Sequence, residues 1–134
     1  MKYLLDVNLL LASICTSHPE HSRAAHWLAG KRLVVCPLSS LGFLRICSNR
    51  RAFNIPMEKA RQGLAAFCAD RAVEWIADDL KPLESKPLTS DEVTDSYLAD
   101  LAGRHQLKLA TMDEGIKHPA VELVSKEQSP QASS

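Results

Sequence analysis

The chain of 134 residues is short of several features that would announce a function. It has no excess charge: sixteen Lys and Arg balance sixteen Asp and Glu, so the formal net charge at pH 7 is zero. A protein that held nucleic acid mainly by its overall field would be more basic, so net charge carries no argument for such a ligand. A basic patch beside an acidic one is still compatible with it. Long apolar runs are missing. The stretch Val7 to Ala12 contains Asn8, follows Asp6 directly and is far too short to span a bilayer, so no membrane role is expected. No Gly-rich phosphate loop occurs, which argues against a nucleotide-binding protein. Cys15, Cys36, Cys47 and Cys68 are spaced 21, 11 and 21 residues apart, without the close ligand pairs of a zinc knuckle. With no signal peptide and apolar neighbours, they are expected to be reduced, mostly buried thiols of a cytoplasmic protein. Trp27 and Trp75 are too isolated for a base-stacking platform and are expected in the core.

What is present suits one globular domain. A chain of this length buries roughly two-thirds of its unfolded surface, and the hydrophobic fraction of 46% is ordinary. Short apolar runs alternate with helical patterns. Strands are expected at residues 2–6, 33–36, 73–76, 107–111 and 121–124. A helix is expected to start at once after Asp6. Another is expected from Ser17, whose spacing to Glu20 fits a capping box, with Ala24, Ala25, Leu28 and Ala29 inward and Gly30 as its stop. Residues 39–47 predict a helix with Leu41, Leu44 and Cys47 inward. Residues 54–69 predict another, with Ala60, Leu64, Phe67 and Cys68 inward. Two prolines and mixed charge make 78–87 a loop. Thr89 and Glu92 fit a second capping box, whose helix runs to Gly103 with Val93, Tyr97, Leu98 and Leu101 apolar. The polar segment 125–134 is expected to be a disordered tail behind a domain of residues 1–124. This alternation predicts an α/β/α sandwich around a largely parallel sheet, whose functional crevice lies beyond the carboxyl ends of the strands.

That rule gives meaning to the acids. Asp6 closes the first strand and Asp113 follows the fourth. Asp95 stands in the first turns of the Thr89-capped helix, four residues from Asp91 on the same face, and joins the other two if the preceding loop delivers it there. Clustered carboxylates repel one another unless their pKa values rise or a cation binds, and all-oxygen ligands favour Mg²⁺ or Mn²⁺. Such an ion can activate water and offset charge on a phosphodiester. The competing structural role of an Asp after a strand is a helix cap or a turn. An aspartyl-nucleophile phosphatase would show Asp-x-Asp, and Asp6-Val7-Asn8 lacks the second acid. Arg45, Arg50 and Arg51 gather at a helix end, where they suit either RNA phosphates or the helix dipole. His18, His21 and His26 have no nearby third ligand and are expected to cap or to face solvent.

The chain resembles the PIN-domain family, and within it the VapC-type toxins of bacterial toxin–antitoxin pairs. The resemblance begins at Leu4-Leu5-Asp6-Val7-Asn8-Leu9-Leu10 and continues through His18-Pro19-Glu20-His21, Cys36-Pro37-Leu38-Ser39 and Gly42-Phe43-Leu44-Arg45. It closes on Thr94-Asp95-Ser96-Tyr97-Leu98 and Leu107-Lys108-Leu109-Ala110-Thr111-Met112-Asp113. It implies a PIN fold and Mg²⁺- or Mn²⁺-dependent endonucleolytic cleavage of RNA, often tRNA or rRNA. It also implies a homodimer and silencing by a cognate antitoxin. Asp6, Asp95 and Asp113 match three family acids, and Asn8 and Thr111 match polar positions near the metals. Arg45 matches the family's Gly-Phe-Leu-Arg run. One departure stands out: Ser40 occupies the register of the family's usual Glu after the second strand. Either three acids and one tight ion suffice, or another acid such as Asp91 substitutes, or nuclease activity is impaired. The first is the working expectation. The rival is a catalytically weakened domain that binds RNA or an antitoxin.

Overall fold

The computed structural model describes residues 1–124; the expected tail, 125–134, lies outside the described residues. Five short strands form the sheet: β1 Lys2–Leu5, β2 Arg32–Val35, β3 Glu74–Trp75, β4 Lys108–Thr111 and β5 Val121–Leu123. They lie in the order β3-β2-β1-β4-β5, and all four pairings are parallel. Five helices connect or cover them: α1 Val7–Ile14, α2 His21–Leu28, α3 Pro37–Ser48, α4 Met57–Asp70 and α5 Val93–Arg104.

Strand periodicity divides the core between the two faces. Leu5, Leu33, Val35 and Ala110 pack under residues of α1 to α4, including Leu9, Leu10, Phe43, Leu64 and Phe67. Their neighbours Leu4, Val34 and Leu109 point the other way, onto Leu98, Leu101 and Ala102 of α5. The result is the expected three-layer α/β/α sandwich. α1 and α3 approach closely enough that a Cβ on Gly42 would sit 2.7 Å from a methyl of Val7, so any larger residue there would force the Val7 side chain to move. The four cysteines are free thiols as expected; Cys15 and Cys47 Sγ lie 3.8 Å apart, and burial pushes Cys15 up to about 12.

Several local expectations are corrected. Ser17 does not cap α2, which begins at His21 without a side-chain cap; the preceding turn is closed instead by Glu20 N–H donating to Nδ1 of His18 at 2.9 Å. His21 Nδ1 bonds the Ala12 carbonyl oxygen at 2.8 Å, so both histidines tie the α1–α2 connection together. α3 starts two residues before Ser39, with Pro37 in its first turn and Cys36 N–H donating to Ser39 Oγ at 3.2 Å. Its buried residues are Ser39, Ser40, Phe43 and Cys47, whereas Leu41 is 64% exposed. Thr89 donates to the Glu92 carboxylate, 3.0 Å away, but neither side chain caps the backbone; a 3₁₀ turn at Ser90–Glu92 precedes α5 and takes Asp91 out of the helix. Trp75 is exposed because β3 is a two-residue edge strand. Trp27 is half-buried, edge-on to Tyr3 and covered by the Lys31 ammonium.

Candidate functional site

The chain runs outward in both directions from the β1–β4 pair, to β2 and β3 on one side and to β5 on the other. In an open parallel sheet such a reversal leaves a crevice at the carboxyl ends of the two central strands. Asp6 follows β1 there, and its own N–H donates to the Ala110 carbonyl oxygen of β4 at 3.2 Å. It is 3% exposed. Leu9 N–H donates to Asp6 Oδ1 at 2.7 Å, making Asp6 the N-cap of α1, and Thr111 Oγ1 donates to Oδ2. The cap role and the site role therefore coincide in one side chain. Thr111 Oγ1 accepts in turn from Asp113 N–H at 3.0 Å, and Asp113 Oδ1 accepts from Gly115 N–H at 2.8 Å. One hydroxyl thus joins the acid after β1 to the backbone of the acid after β4.

Burial raises the Asp6 pKa to about 6 against the hydrogen bonds from Thr111 and Leu9, with the negative charges of Asp95 and Asp113 adding to the rise. Asp95, half-buried near the start of α5, is raised by burial and then by Asp113. Asp6 thus feels the charges of both other acids, and Asp95 that of Asp113. They do not all face one opening. Asp6 and Asp95 line a cavity of about 390 Å³ together with Asn8, Arg45, Leu41 and Thr94, among others. Asp113 is exposed and lines a separate depression with Lys117 and His118.

The remaining expected residues divide. Asn8 and Arg45 line the carboxylate cavity, while Thr111 supports it from beneath through Asp6. Ser40 is 6% exposed, and its Oγ has no hydrogen-bond partner among the described residues. Asp91, Arg50 and Arg51 are exposed and do not line the cavity. Sequence reasoning missed Thr94 and Leu41 as wall residues. Thr94 was readable as the neighbour of Asp95, but the apolar character of Leu41 pointed to the core.

Among the described residues no three or more His, Cys, Asp or Glu side chains come close enough to form a metal cage. The donors present are hard oxygens: two carboxylates and an amide around a cavity, with a third acid nearby. Asp6 accepts two hydrogen bonds, and a carboxylate offers roughly four acceptor sites, so capacity remains. Mg²⁺ commonly takes one or two carboxylates and keeps its waters, so this set suits a loosely held, water-rich hard cation. It does not suit a closed site.

No family model matches the chain. Among curated proteins it is 34% identical over 121 residues to ribonuclease VapC38 of Mycobacterium tuberculosis, covering 84% of this chain and 86% of that one. It is 33% identical over 131 residues to ribonuclease VapC44 of the same organism, covering 90% and 92%. Ribonuclease VapC25, again of that organism, is 38% identical over 129 residues, covering 83% and 88%. In fold it resembles the VapBC2 structure from Rickettsia felis bound to a promoter DNA fragment, with a TM-score of 0.61 at 16% identity over 92% of this chain and 97% of that one. A toxin–antitoxin complex from Klebsiella pneumoniae gives a TM-score of 0.60 at 16% identity, over 93% and 99%. With most of its length matched to curated ribonucleases above 30% identity, and with its acids at the carboxyl edge of the sheet, the chain belongs to the PIN-domain family and within it to the VapC-type ribonucleases of toxin–antitoxin pairs.

Proposed function

We propose that residues 1–124 form a catalytically weakened PIN domain that binds RNA at the carboxylate cavity, pairs with a cognate antitoxin and works in the cytoplasm as a homodimer. The observation that carries the weakened reading is the state of the ligand set. Ser40 supplies a buried hydroxyl where the family places an acid, and no three-carboxylate cage forms among the described residues. Asp91 does not compensate from its exposed 3₁₀ turn.

Asp6, Asp95 and, from the neighbouring depression, Asp113 are the residues assigned to hold Mg²⁺ or Mn²⁺. Bound there, the ion would supply water activation and neutralise charge on the phosphodiester. The chain's own residues do the rest. Thr111 favours ionised Asp6 by donating to it, and the α1 backbone fixes its orientation. Arg45, lining the same cavity, offers a fork of donors to an RNA phosphate that the acids alone would repel. Exposed apolar side chains at Leu41, Leu83, Leu88 and Val93 supply surface for an antitoxin or a second copy.

The second reading is a fully active metal-dependent endoribonuclease, hydrolysing tRNA or rRNA. It is supported by the charges of Asp95 and Asp113 acting on Asp6 and by the ribonuclease names of the relatives. Purified protein freed of antitoxin, mixed with total tRNA and rRNA, separates the two. The proposal expects RNA to be retained in EDTA, with slow discrete cleavage in Mn²⁺ that Asp6→Asn abolishes. Turnover above about 1 per second, in the range of ordinary enzymes, would install the second reading. Neither retention nor cleavage by folded protein would defeat both.

A further inference from the structure

A second cavity, of about 400 Å³, lies beside the first, and Leu38 and Thr94 line both. Its walls include Leu80, Pro82, Pro87, Val93 and the Tyr97 ring. Tyr97 is fixed by its hydroxyl, which donates to the Leu80 carbonyl oxygen at 2.7 Å. Two polar side chains complete the lining. Ser85 is 7% exposed, and its Oγ has no hydrogen-bond partner among the described residues. Asp78 accepts from Leu38 N–H at 2.9 Å through Oδ2, leaving acceptor capacity on the carboxylate. No Lys, Arg or His is found among the described residues that line this cavity.

These features choose between kinds of ligand. A phosphate is disfavoured by the carboxylate and the missing cations. A purely apolar group would leave the Ser85 hydroxyl and the spare Asp78 acceptor sites without a partner. A flat ring with apolar faces and N–H donors on its rim meets both conditions. Single-stranded RNA offers such rings, splayed out, packed against side chains and read along their edges. Carboxylates accept well from exocyclic amines of bases. The shared Leu38–Thr94 wall places such a ring next to the cavity assigned to the phosphate.

We propose that this second cavity is a nucleobase pocket, in which Asp78 and Ser85 read an amine-bearing base of the nucleotide whose phosphate sits at the carboxylate cavity. It rests on the RNA-binding reading and adds a base preference to it. Asp78 and Ser85 are specificity residues and take no part in bond cleavage.

The test uses the full, antitoxin-free chain in EDTA, so that binding is read without hydrolysis. Labelled uridine hexanucleotides with one central guanosine, cytidine or adenosine are compared with the all-uridine strand by fluorescence anisotropy. At least one amine-bearing strand is expected to bind roughly tenfold tighter than all-uridine. Asp78→Asn keeps an acceptor for Leu38 N–H and should cut that preference to below about twofold. Val93→Trp, at a half-exposed wall position, should fill the cavity and do the same, and Ser85→Ala should reduce the preference more weakly. Melting curves check that each variant folds. The proposal is overturned if wild type binds all four strands alike, or if the preference survives both Asp78→Asn and Val93→Trp. It is also overturned if Val93→Trp blocks an Arg-rich peptide and leaves the RNA preference intact, which would give the cavity to a protein partner. Absence of RNA binding to any strand would remove this pocket together with the reading beneath it, whereas binding without base preference removes the pocket alone.

Discussion

The carboxylate cavity has two unlike walls. On the sheet side, Asp6 is buried and takes hydrogen bonds on both oxygens, and Thr111 ties it to the segment after β4. On the helix side, Asp95 stands half-buried on α5, while Ser40 on α3 is not among the lining residues and keeps a buried hydroxyl without a partner among the described residues. The sheet wall does structural and chemical work with the same atoms: the group that would meet a cation also caps α1. The helix side lacks that economy, because Ser40, in the register where the resemblance leads one to expect an acid, is a small buried hydroxyl outside the lining. A site with one side held rigid by hydrogen bonds and the other short of an acid should keep its shape and its affinity for substrate better than its rate.

The largest effect should come from Asp6→Asn. Asn caps a helix about as well as Asp, so α1 survives while the charge is lost. Any RNA cleavage should fall by roughly two orders of magnitude or more, in line with losing a metal ligand. Stability gives an independent readout in metal-free buffer. Asp6 has a folded pKa of about 6 against 3.8 as the ordinary value, so its neutral form is favoured by folding. That contribution is fully present below pH 3.8 and is lost as pH rises through about 6. A shift of about two units is worth roughly 3 kcal/mol. The parent chain in EDTA should therefore lose stability across that window, and Asp6→Asn should show a flatter pH profile in denaturant titrations.

Next in size is Thr111→Val, which keeps the shape and removes the hydroxyl serving both Asp6 and the Asp113 N–H. A loss of about 1–3 kcal/mol is expected by urea unfolding, with the acid limb of any pH–rate profile moved upward because Asp6 loses a donor that favours its charge. Ser40 sharpens the comparison from the other wall. Ser40→Ala should be neutral for cleavage and stabilise by up to about 1 kcal/mol, since an unpartnered buried hydroxyl disappears. The smallest effect belongs to Arg45→Gln: RNA binding should weaken a few-fold, and the slope of log affinity against log salt should fall by about 1. Arg50→Gln, outside the cavity, should leave the slope unchanged.

Much of this was legible from residue patterns because the central strands are buried on both faces. Leu4-Leu5 before Asp6 and Leu109-Ala110 before Thr111 need apolar side chains in both directions, and that produces unbroken runs that end at the site. The edge was harder. β3 pairs on one side only and spans two exposed residues, so Trp75 was misplaced in the core. α3 misled for a different reason. Its buried face is made of Ser39, Ser40, Phe43 and Cys47, with small hydroxyls packed near the sheet, while its apolar Leu41 lines the cavity. Hydrophobic periodicity cannot register a face built that way. The capping boxes at Ser17 and Thr89 had the right spacing, but turns at His18 and Ser90–Glu92 took over the start of each helix. The second cavity depends on how the segment from Asp78 to Pro87 folds back over Tyr97, which no local pattern specifies.

The central claim is that the helix wall limits a site whose sheet wall is intact. Single-turnover cleavage of total tRNA in Mn²⁺ tests it most directly, with wild type, Asp6→Asn and Ser40→Glu measured side by side and each shown to be folded. The account predicts slow cleavage by wild type, none by Asp6→Asn, and a rate roughly tenfold higher or more for Ser40→Glu. Rapid cleavage by wild type that Ser40→Glu does not increase would contradict it, because the hydroxyl at position 40 would then limit nothing.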